Sequence, residues 1–504
     1  MGVKPDQAMW AQLFRWTGDA PRALQARIRE AVVSAILDGR LAPGSPMPSS
    51  RELAQSLGVA RNTVVLAYQQ LLDHGFLLSR ERSGYFVSPT VTCDHPPAPD
   101  AAPGRGSEPD WGPRFALRAS GLRNIAKPAD WQAYEFPFLY GQFDPTLFPI
   151  ADWRECSRRA LGTLEMRGWA PDLIDGDDEM LIEQLRSRVL PRRGVWATAS
   201  EIMVTIGAQQ ALFLLTQLLM TDRTRVGIED PGYPDARNIV SLSSAEIRRL
   251  PIDADGLVVD ERLAGCDYVY VTPSHQCPTS VTMPLARREE LLTVAAERDI
   301  VLIEDDYESE INFADTPTPS LKSLDRDHRV IYVGSLSKTL APGLRLGYIV
   351  GPAELIREAR ALRRLMLRHP PVNNQRTAAL FLSLGHHEAL ARRLIHALRE
   401  RAQAARRGLD RHLPHAAYSG GAGGSSYWVR GPEWLDTNLL AERARERGVL
   451  IEPGDVFFAA PSPPLNHMRI GLSSIPVDRI DRGLETLGSV IAEMRPASAE
   501  PAWH

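Results

Sequence analysis

Leu24, Ile28, Ala31, Ala35 and Ile36 recur at helical spacing, and the segment stops at Asp38-Gly39. Ser49-Ser50-Arg51-Glu52 then has the S-x-x-E form of a capping box, which predicts a helix over 51–57. Gly58 turns the chain into a second helix over about 61–72. Phe76-Leu77-Leu78 and Tyr85-Phe86-Val87, joined by a polar stretch over 79–84, predict a two-stranded hairpin. Beyond residue 114 the pattern changes, and short apolar runs alternate with amphipathic helical stretches. Strands are predicted at 202–205, 225–229, 268–272, 300–304 and 330–333. That alternation predicts an α/β domain with a largely parallel sheet. No internal repeat interrupts it.

Between the two patterns, residues 88–114 carry Ser-Pro-Thr, Pro-Pro-Ala-Pro-Asp and Ala-Ala-Pro-Gly-Arg-Gly-Ser-Glu-Pro-Asp. A run so rich in Pro, Ala and Gly supplies neither core nor helix and predicts a semi-flexible tether. The expected organisation is a head over 1–88, a linker over 89–114 and a body over 115–495. A chain of 504 residues exceeds what one core accommodates. The apolar run 211–220 is too short to span a bilayer, and Met-Gly-Val-Lys-Pro-Asp lacks the apolar core of a signal peptide. Cys93, Cys156, Cys266 and Cys277 fall far apart, which suits reduced thiols in a cytoplasm and no disulfide framework. Net charge is −4, yet residues 1–90 carry ten Lys and Arg against seven Asp and Glu. That local excess is compatible with nucleic acid but does not by itself require it.

A short helix, a glycine turn and a longer helix make a helix-turn-helix. Its second helix presents Arg61, Asn62 and Thr63 on the first turn, where major-groove readers place base contacts. The hairpin makes a wing tipped by Arg80 and Arg82. Pro48-Ser-Ser-Arg-Glu-Leu-Ala, Leu57-Gly-Val-Ala-Arg-Asn-Thr-Val and Ser83-Gly-Tyr-Phe-Val resemble the winged helix of GntR-type bacterial regulators over nearly the whole head. The resemblance implies a double-stranded DNA operator with repeated half-sites in a bacterial cytoplasm. It points to Ser50, Arg51, Arg61, Asn62, Thr63, Arg80 and Arg82 as the DNA-facing residues. Ala60 departs from the pattern, because such regulators usually cap the recognition helix with Ser. An Ala cap costs about 1 kcal/mol.

Four segments of the body carry chemistry. Thr205-Ile-Gly-Ala-Gln-Gln-Ala-Leu runs from a strand into a helix, and the N–H groups of Gly207, Ala208 and Gln209 are placed to hold a phosphate on the helix dipole. Glu229-Asp-Pro-Gly-Tyr-Pro puts Tyr233 beyond a strand, where an aromatic stacks on a planar cofactor or fills a core. Val301-Leu-Ile-Glu-Asp-Asp-Tyr ends an apolar strand in carboxylates, where α/β proteins place ligands. A metal would need further His or acid ligands at suitable spacing, which the chain lacks, whereas one carboxylate suffices for a protonated pyridine nitrogen. Gly334-Ser-Leu-Ser-Lys-Thr-Leu-Ala-Pro-Gly-Leu-Arg supplies the Lys338 amine, the Ser335 and Ser337 hydroxyls and the Arg345 fork.

In that order the four segments resemble a fold-type I pyridoxal-phosphate aminotransferase over residues 115–490. The resemblance implies that Lys338 forms the Schiff base with pyridoxal 5'-phosphate. It also implies that Asp305 pairs with the ring nitrogen and Tyr307 with the ring hydroxyl oxygen. Ser335, Ser337, Arg345, Gly207, Ala208 and Gln209 would hold the phosphate, and Tyr233 would stack on the ring. His467-Met-Arg-Ile-Gly-Leu places Arg469 where such enzymes grip a substrate carboxylate.

Head and body together resemble the MocR-type subfamily of GntR regulators, of which Thr272-Pro-Ser-His-Gln and Leu340-Ala-Pro-Gly-Leu-Arg are typical. The resemblance implies a homodimeric regulator that senses a small amine or amino acid through aldimine chemistry at Lys338. Cys277-Pro-Thr-Ser280 stands where aminotransferases have Asn-Pro-Thr-Gly, and a thiol is a poor donor to the ring oxygen. Imine exchange is therefore expected without full transamination. Two other readings stay open: a working aminotransferase with a vestigial head, and a regulator that answers to pyridoxal phosphate alone. Arg469 implies a carboxylate or sulfonate on the effector, so amino acids, ω-amino acids and taurine-like compounds all fit. Some subfamily members have a second anion-binding arginine two residues after the stacking tyrosine. Here that position is Asp235, with Arg237 two further on.

Overall fold

The computed structural model describes residues 24–81, 83–91, 109–313 and 318–496. The chain divides into two compact units, Met1–Ala116 and Leu117–His504. Among the described residues no helix is long and apolar enough to cross a membrane. Most of the expected tether, and Cys93, fall outside the described residues.

The head contains helices α1 (Leu24–Leu37), α2 (Ser50–Leu57) and α3 (Arg61–Asp73), then strands β1 (Leu77–Arg80) and β2 (Gly84–Val87). The capping box forms as the spacing predicts. The Glu52 N–H donates to Ser49 Oγ at 3.2 Å, and the Ser49 N–H donates to Glu52 Oε2 at 2.8 Å. Two orphan donors of the first turn are thereby satisfied. Ile28, Val32, Ile36, Leu53, Val64, Leu71, Leu77 and Val87 close one core, with Tyr68 donating its hydroxyl to the Pro48 carbonyl at 3.0 Å. The wing differs from expectation in one respect. Its first strand runs through Arg80, which pairs with Gly84, so Arg80 is a strand residue and not part of the tip. Its guanidinium lies 4.7 Å over the Phe86 ring, and the ladder runs two residues further than polarity suggests.

The body is built on an eight-stranded sheet. In chain order its strands are β3 (Ile202–Thr205), β4 (Arg225–Asp230), β5 (Glu246–Asp253), β6 (Gly256–Leu257), β7 (Tyr268–Val271), β8 (Val301–Asp306), β9 (Val330–Ser335) and β10 (Gly347–Val350). Their spatial order is β3-β10-β9-β8-β7-β4-β5-β6. The five predicted strands exist, and β9, β8, β7, β4 and β5 are mutually parallel. The sheet is mixed, however, because β10 runs antiparallel between β9 and β3. Helix α4 (Gly207–Leu219) follows β3 and packs Leu212 and Leu215 toward Val333 and Ile349 of the sheet.

A second layer forms around a four-stranded antiparallel sheet of β11 (Ala417–Gly420), β12 (Ser426–Arg430), β13 (Glu452–Pro453) and β14 (His467–Gly471), in the order β11-β12-β14-β13. Helices α5 (His386–His412) and α6 (Val477–Glu493) cover it, burying Leu409, Leu484 and Leu487 against Val429 and Ile470. Segment 136–141 threads between this layer and the main sheet, tied by the Gly471 N–H to the Phe138 carbonyl at 3.0 Å.

Ala60 occupies the N-cap of α3 without a side-chain hydrogen bond. Ala60→Ser should therefore stabilise the head by about 1 kcal/mol, raising its unfolding transition by about 4–8 °C in calorimetry of the full-length protein. An unchanged transition would mean that the recognition helix is not limited by its cap.

Candidate functional site

Four neighbouring strands end at one level. Thr205 pairs with Gly347, Gly347 with Ser335, Gly334 with Asp306 and Val333 with Asp305. This register brings the start of α4, the 336–346 loop and Asp305 to one edge of the sheet, as open α/β sheets do at their ligand sites. Gly347 permits the approach, since a Cβ there would lie 2.5 Å from the Gly207 carbonyl carbon. The resulting cavity of about 280 Å³ is lined by every residue that the sequence assigns to the cofactor or the effector. These are Gly207, Ala208, Gln209, Tyr233, Asp305, Tyr307, Ser335, Ser337, Lys338, Arg345 and Arg469.

At one end Arg345 donates to the Ile206 carbonyl at 3.3 Å beside the α4 N-terminus, which has no side-chain cap. Ser335 Oγ accepts the Ser337 N–H at 3.2 Å, leaving its own proton to donate. Ser337 is placed otherwise than expected. Its hydroxyl donates to the Leu346 carbonyl and accepts the Leu346 N–H, both at 3.2 Å, so it fastens the lysine loop across its base.

At the floor, Tyr270 donates to Asp305 Oδ2 at 2.8 Å, while Asp305 Oδ1 is buried without a partner. Burial pushes the Asp305 carboxyl up to about 7; the Tyr270 hydrogen bond opposes the shift and the Asp306 charge adds to it. Tyr307 differs from expectation, because its hydroxyl donates to the His275 carbonyl at 2.8 Å and so spends its proton on backbone. Cys277 is buried beside Trp428 and Phe457, and burial pushes its thiol up to about 12, so it stays neutral. Tyr233 donates to Asp235 Oδ2 at 3.0 Å, which also accepts from Gln209 at 3.2 Å. Arg237 donates to the Val456 carbonyl at 3.0 Å and does not line the cavity.

The Lys338 Nζ stands 4.5 Å from the centre of the Tyr140 ring. Gly141, at φ +66°, lets the chain pass over it, since a Cβ there would lie 2.7 Å from that nitrogen. Burial lowers the Lys338 pKa to about 8; Glu308 opposes the shift, and Lys127 and Arg469 reinforce it. Arg469 sits on β14 directly opposite Glu452 on β13 and donates from Nε to Glu452 Oε2 at 2.6 Å. Its guanidinium carbon is 4.2 Å from the Tyr140 ring centre, and its Nη2 is buried without a partner. Sequence reasoning missed Lys127, Tyr140, Tyr270 and Glu452. Glu452 had left a signal, a lone acid closing the apolar run Val449-Leu-Ile, whereas Lys127 lies in a loop with no pattern.

In the head, Arg51, Arg61, Asn62 and Arg80 are exposed and Thr63 is half-buried. Ser50 is buried and accepts from Arg61 Nε at 3.4 Å, so it steadies an arginine more than it offers a surface. Arg82 lies outside the described residues.

The family described as "Bacterial regulatory proteins, gntR family" matches residues 24–87, and "Aminotransferase class I and II" matches residues 175–487. The chain is 44% identical to the HTH-type transcriptional regulator TauR of Rhodobacter capsulatus, covering 93% of this chain and 96% of that one. It is 29% identical to the probable rhizopine catabolism regulatory protein MocR of Rhizobium meliloti, covering 96% of this chain and 97% of that one. Among solved structures, the kynurenine aminotransferase of Pyrococcus horikoshii superposes with a TM-score of 0.71 at 27% identity, covering 77% of this chain and 99% of that one.

The cofactor of such a body is pyridoxal phosphate, and the residues present fit it. The partnerless Asp305 oxygen is the acceptor a protonated ring nitrogen needs, and an uncapped helix start beside an arginine suits a phosphate. A DNA-binding winged helix joined to a pyridoxal-phosphate domain of aminotransferase fold, matched along both their lengths by regulators of that design, makes this chain a member of the MocR-type subfamily of GntR transcriptional regulators.

Proposed function

We propose that the body senses a small amine carrying an anionic group, and that the head passes this signal to DNA as a change in operator binding. The reading rests on one observation above the others. The cavity offers an amine, a ring-nitrogen acceptor and a phosphate cradle, but neither Cys277 nor Tyr307 spares a strong donor for the ring oxygen. Such a site suits binding and exchange of amines better than repeated turnover.

When bound, pyridoxal phosphate supplies a carbon electrophilic toward primary amines and a ring that withdraws electrons. Asp305 would hold a proton at the ring nitrogen through its free Oδ1. Arg345, Ser335 and the first-turn N–H groups of Gly207, Ala208 and Gln209 would grip the phosphate. Tyr233 would cover the ring. Lys338, with a pKa of about 8, keeps about a tenth of its amine uncharged at pH 7, far more than an exposed lysine does. Arg469 would take the ligand's anionic group while Glu452 holds the guanidinium from behind. A homodimer would present two heads to repeated half-sites, contacting DNA through Arg51, Arg61, Asn62 and Thr63 and the wing arginines. Ligand control of DNA binding can be no larger than the ligand's differential affinity for the two arrangements of the dimer. The intact Lys338 and Asp305 also favour a second reading, residual aminotransferase turnover.

Three measurements test these assignments. Lys338→Ala should lose the visible absorbance of lysine-bound cofactor and, with it, amine-dependent regulation; retained amine-dependent operator binding would sink the sensing role. A neutral amine is the nucleophile, so a lowered pKa shifts reactivity to lower pH. Cofactor-free protein should thus gain absorbance with pyridoxal phosphate at a rate that rises with pH and is half-maximal near 8; a midpoint near 10.5 would mean that Lys338 is untuned. Cys277→Asn should restore a ring-oxygen donor and raise keto-acid formation from a bound amino acid about tenfold or more, followed by product assay. Rapid turnover by the unaltered protein would favour the enzyme reading.

A further inference from the structure

We propose that Lys127 is a second anion-binding residue of this cavity and sets its preference for ligands with one negative charge over neutral and doubly charged ones, an inference that rests on the amine-sensing reading. Lys127 precedes the main sheet by some seventy residues yet lines the cavity beside Arg469. Its Nζ lies 3.1 Å from Glu452 Oε1 and also donates to the Tyr140 carbonyl. Glu452 is 2% exposed and divides itself, with Oε2 on Arg469 and Oε1 on Lys127. One carboxylate shared by two cations leaves a net positive charge against the walls made by Tyr140 and Phe457.

Three donors in this corner remain unspent. An ammonium has three protons, of which Lys127 uses two on Glu452 and Tyr140. Arg469 Nη2 and the Tyr140 hydroxyl are both buried without partners. Two of these donors are buried and the Lys127 side chain is 24% exposed; unmet donors beside an excess cation are costly unless matched, and an oxyanion matches both at once. A monoanion neutralises the Arg469–Lys127–Glu452 group, whereas an uncharged ligand would leave its positive charge unmatched and a dianion would bring in a surplus negative one. Lys338 and Arg469 flank the same ring, at 4.5 Å and 4.2 Å from its centre, so the ligand's amine and anion are separated by only a few atoms.

The test follows the absorbance of the full-length, cofactor-bound protein during titration with ethanolamine, β-alanine, 2-aminoethanesulfonate and aspartate. One or both of the monoanions should half-saturate at concentrations about tenfold or more below ethanolamine and aspartate, and which one does so tells carboxylate from sulfonate. Lys127→Met, checked for retained cofactor absorbance, should shrink that preference about tenfold, and Lys127→Arg should recover most of it. An unchanged preference in Lys127→Met, or aspartate binding as well as the monoanions, overturns the inference while leaving amine sensing intact. If no amine alters the spectrum, the sensing reading fails, and calorimetry with methanesulfonate and acetate, which carry no amine, still decides the anion site. Binding that weakens about tenfold in Lys127→Met upholds it, whereas equal binding by the variant, or none by the unaltered protein, overturns it.

Discussion

Everything in the cavity hangs on strand β10 lying antiparallel between β9 and β3. That pairing sets Thr205, Gly347 and Ser335 side by side, so the chain leaving β9 must return within the 336–346 loop. A loop so confined has few ways to run, and Ser337 narrows them further by fastening itself to Leu346. The amine of Lys338 is thus delivered to the sheet edge where β8 ends in Asp305. Had β10 been parallel, β9 would have needed a long crossover, and no short loop would have held a lysine at this level.

The electrostatics of the site follow from how three consecutive acids on β8 are divided. Glu304 accepts the Leu321 and Lys322 N–H groups at 2.9 Å and 2.8 Å and caps a neighbouring helical turn. Asp306 points to Arg193 and Tyr332, each at 2.8 Å, and the arginine keeps it charged despite burial. Only Asp305 between them faces the cavity, with one oxygen spent on Tyr270 and one left over. Alternation along the strand sorts the three carboxylates onto different partners. On the opposite wall Glu452 does comparable work, holding Arg469 charged and opposing the burial that lowers the Lys127 pKa.

Local patterns were legible where they rested on neighbours in the chain. The capping box at Ser49, the glycine stop at Gly58 and the five predicted strands each depend on residues a few positions apart. That the Lys338 loop, the turn at 207–209 and Asp305 converge on one cavity was legible because each lies in a short motif at a strand end. Reading stopped where a hydrogen bond could go either way. Ser337 and Tyr307 carry the expected hydroxyls, but one is spent on Leu346 and the other on His275, and nothing in the motif reveals which acceptor is nearer. Polarity alone places Arg80 in the turn, whereas the ladder pairs it with Gly84 and its guanidinium lies over Phe86.

The sequence by itself determined a GntR-type head, an aminotransferase-type body and the placing of Lys338 between two serine hydroxyls, since these depend on short-range order and residue chemistry. Tertiary structure alone decided which donors are left over. Lys127, Tyr140, Glu452 and Arg469 come from four separate segments and meet only because β13 pairs with β14 and the chain at 136–141 threads beneath them. Their contacts span more than three hundred residues of sequence, from Lys127 to Glu452. No periodicity or motif encodes a contact across such a distance, because it is fixed by the packing of whole layers and by the balance of buried charge.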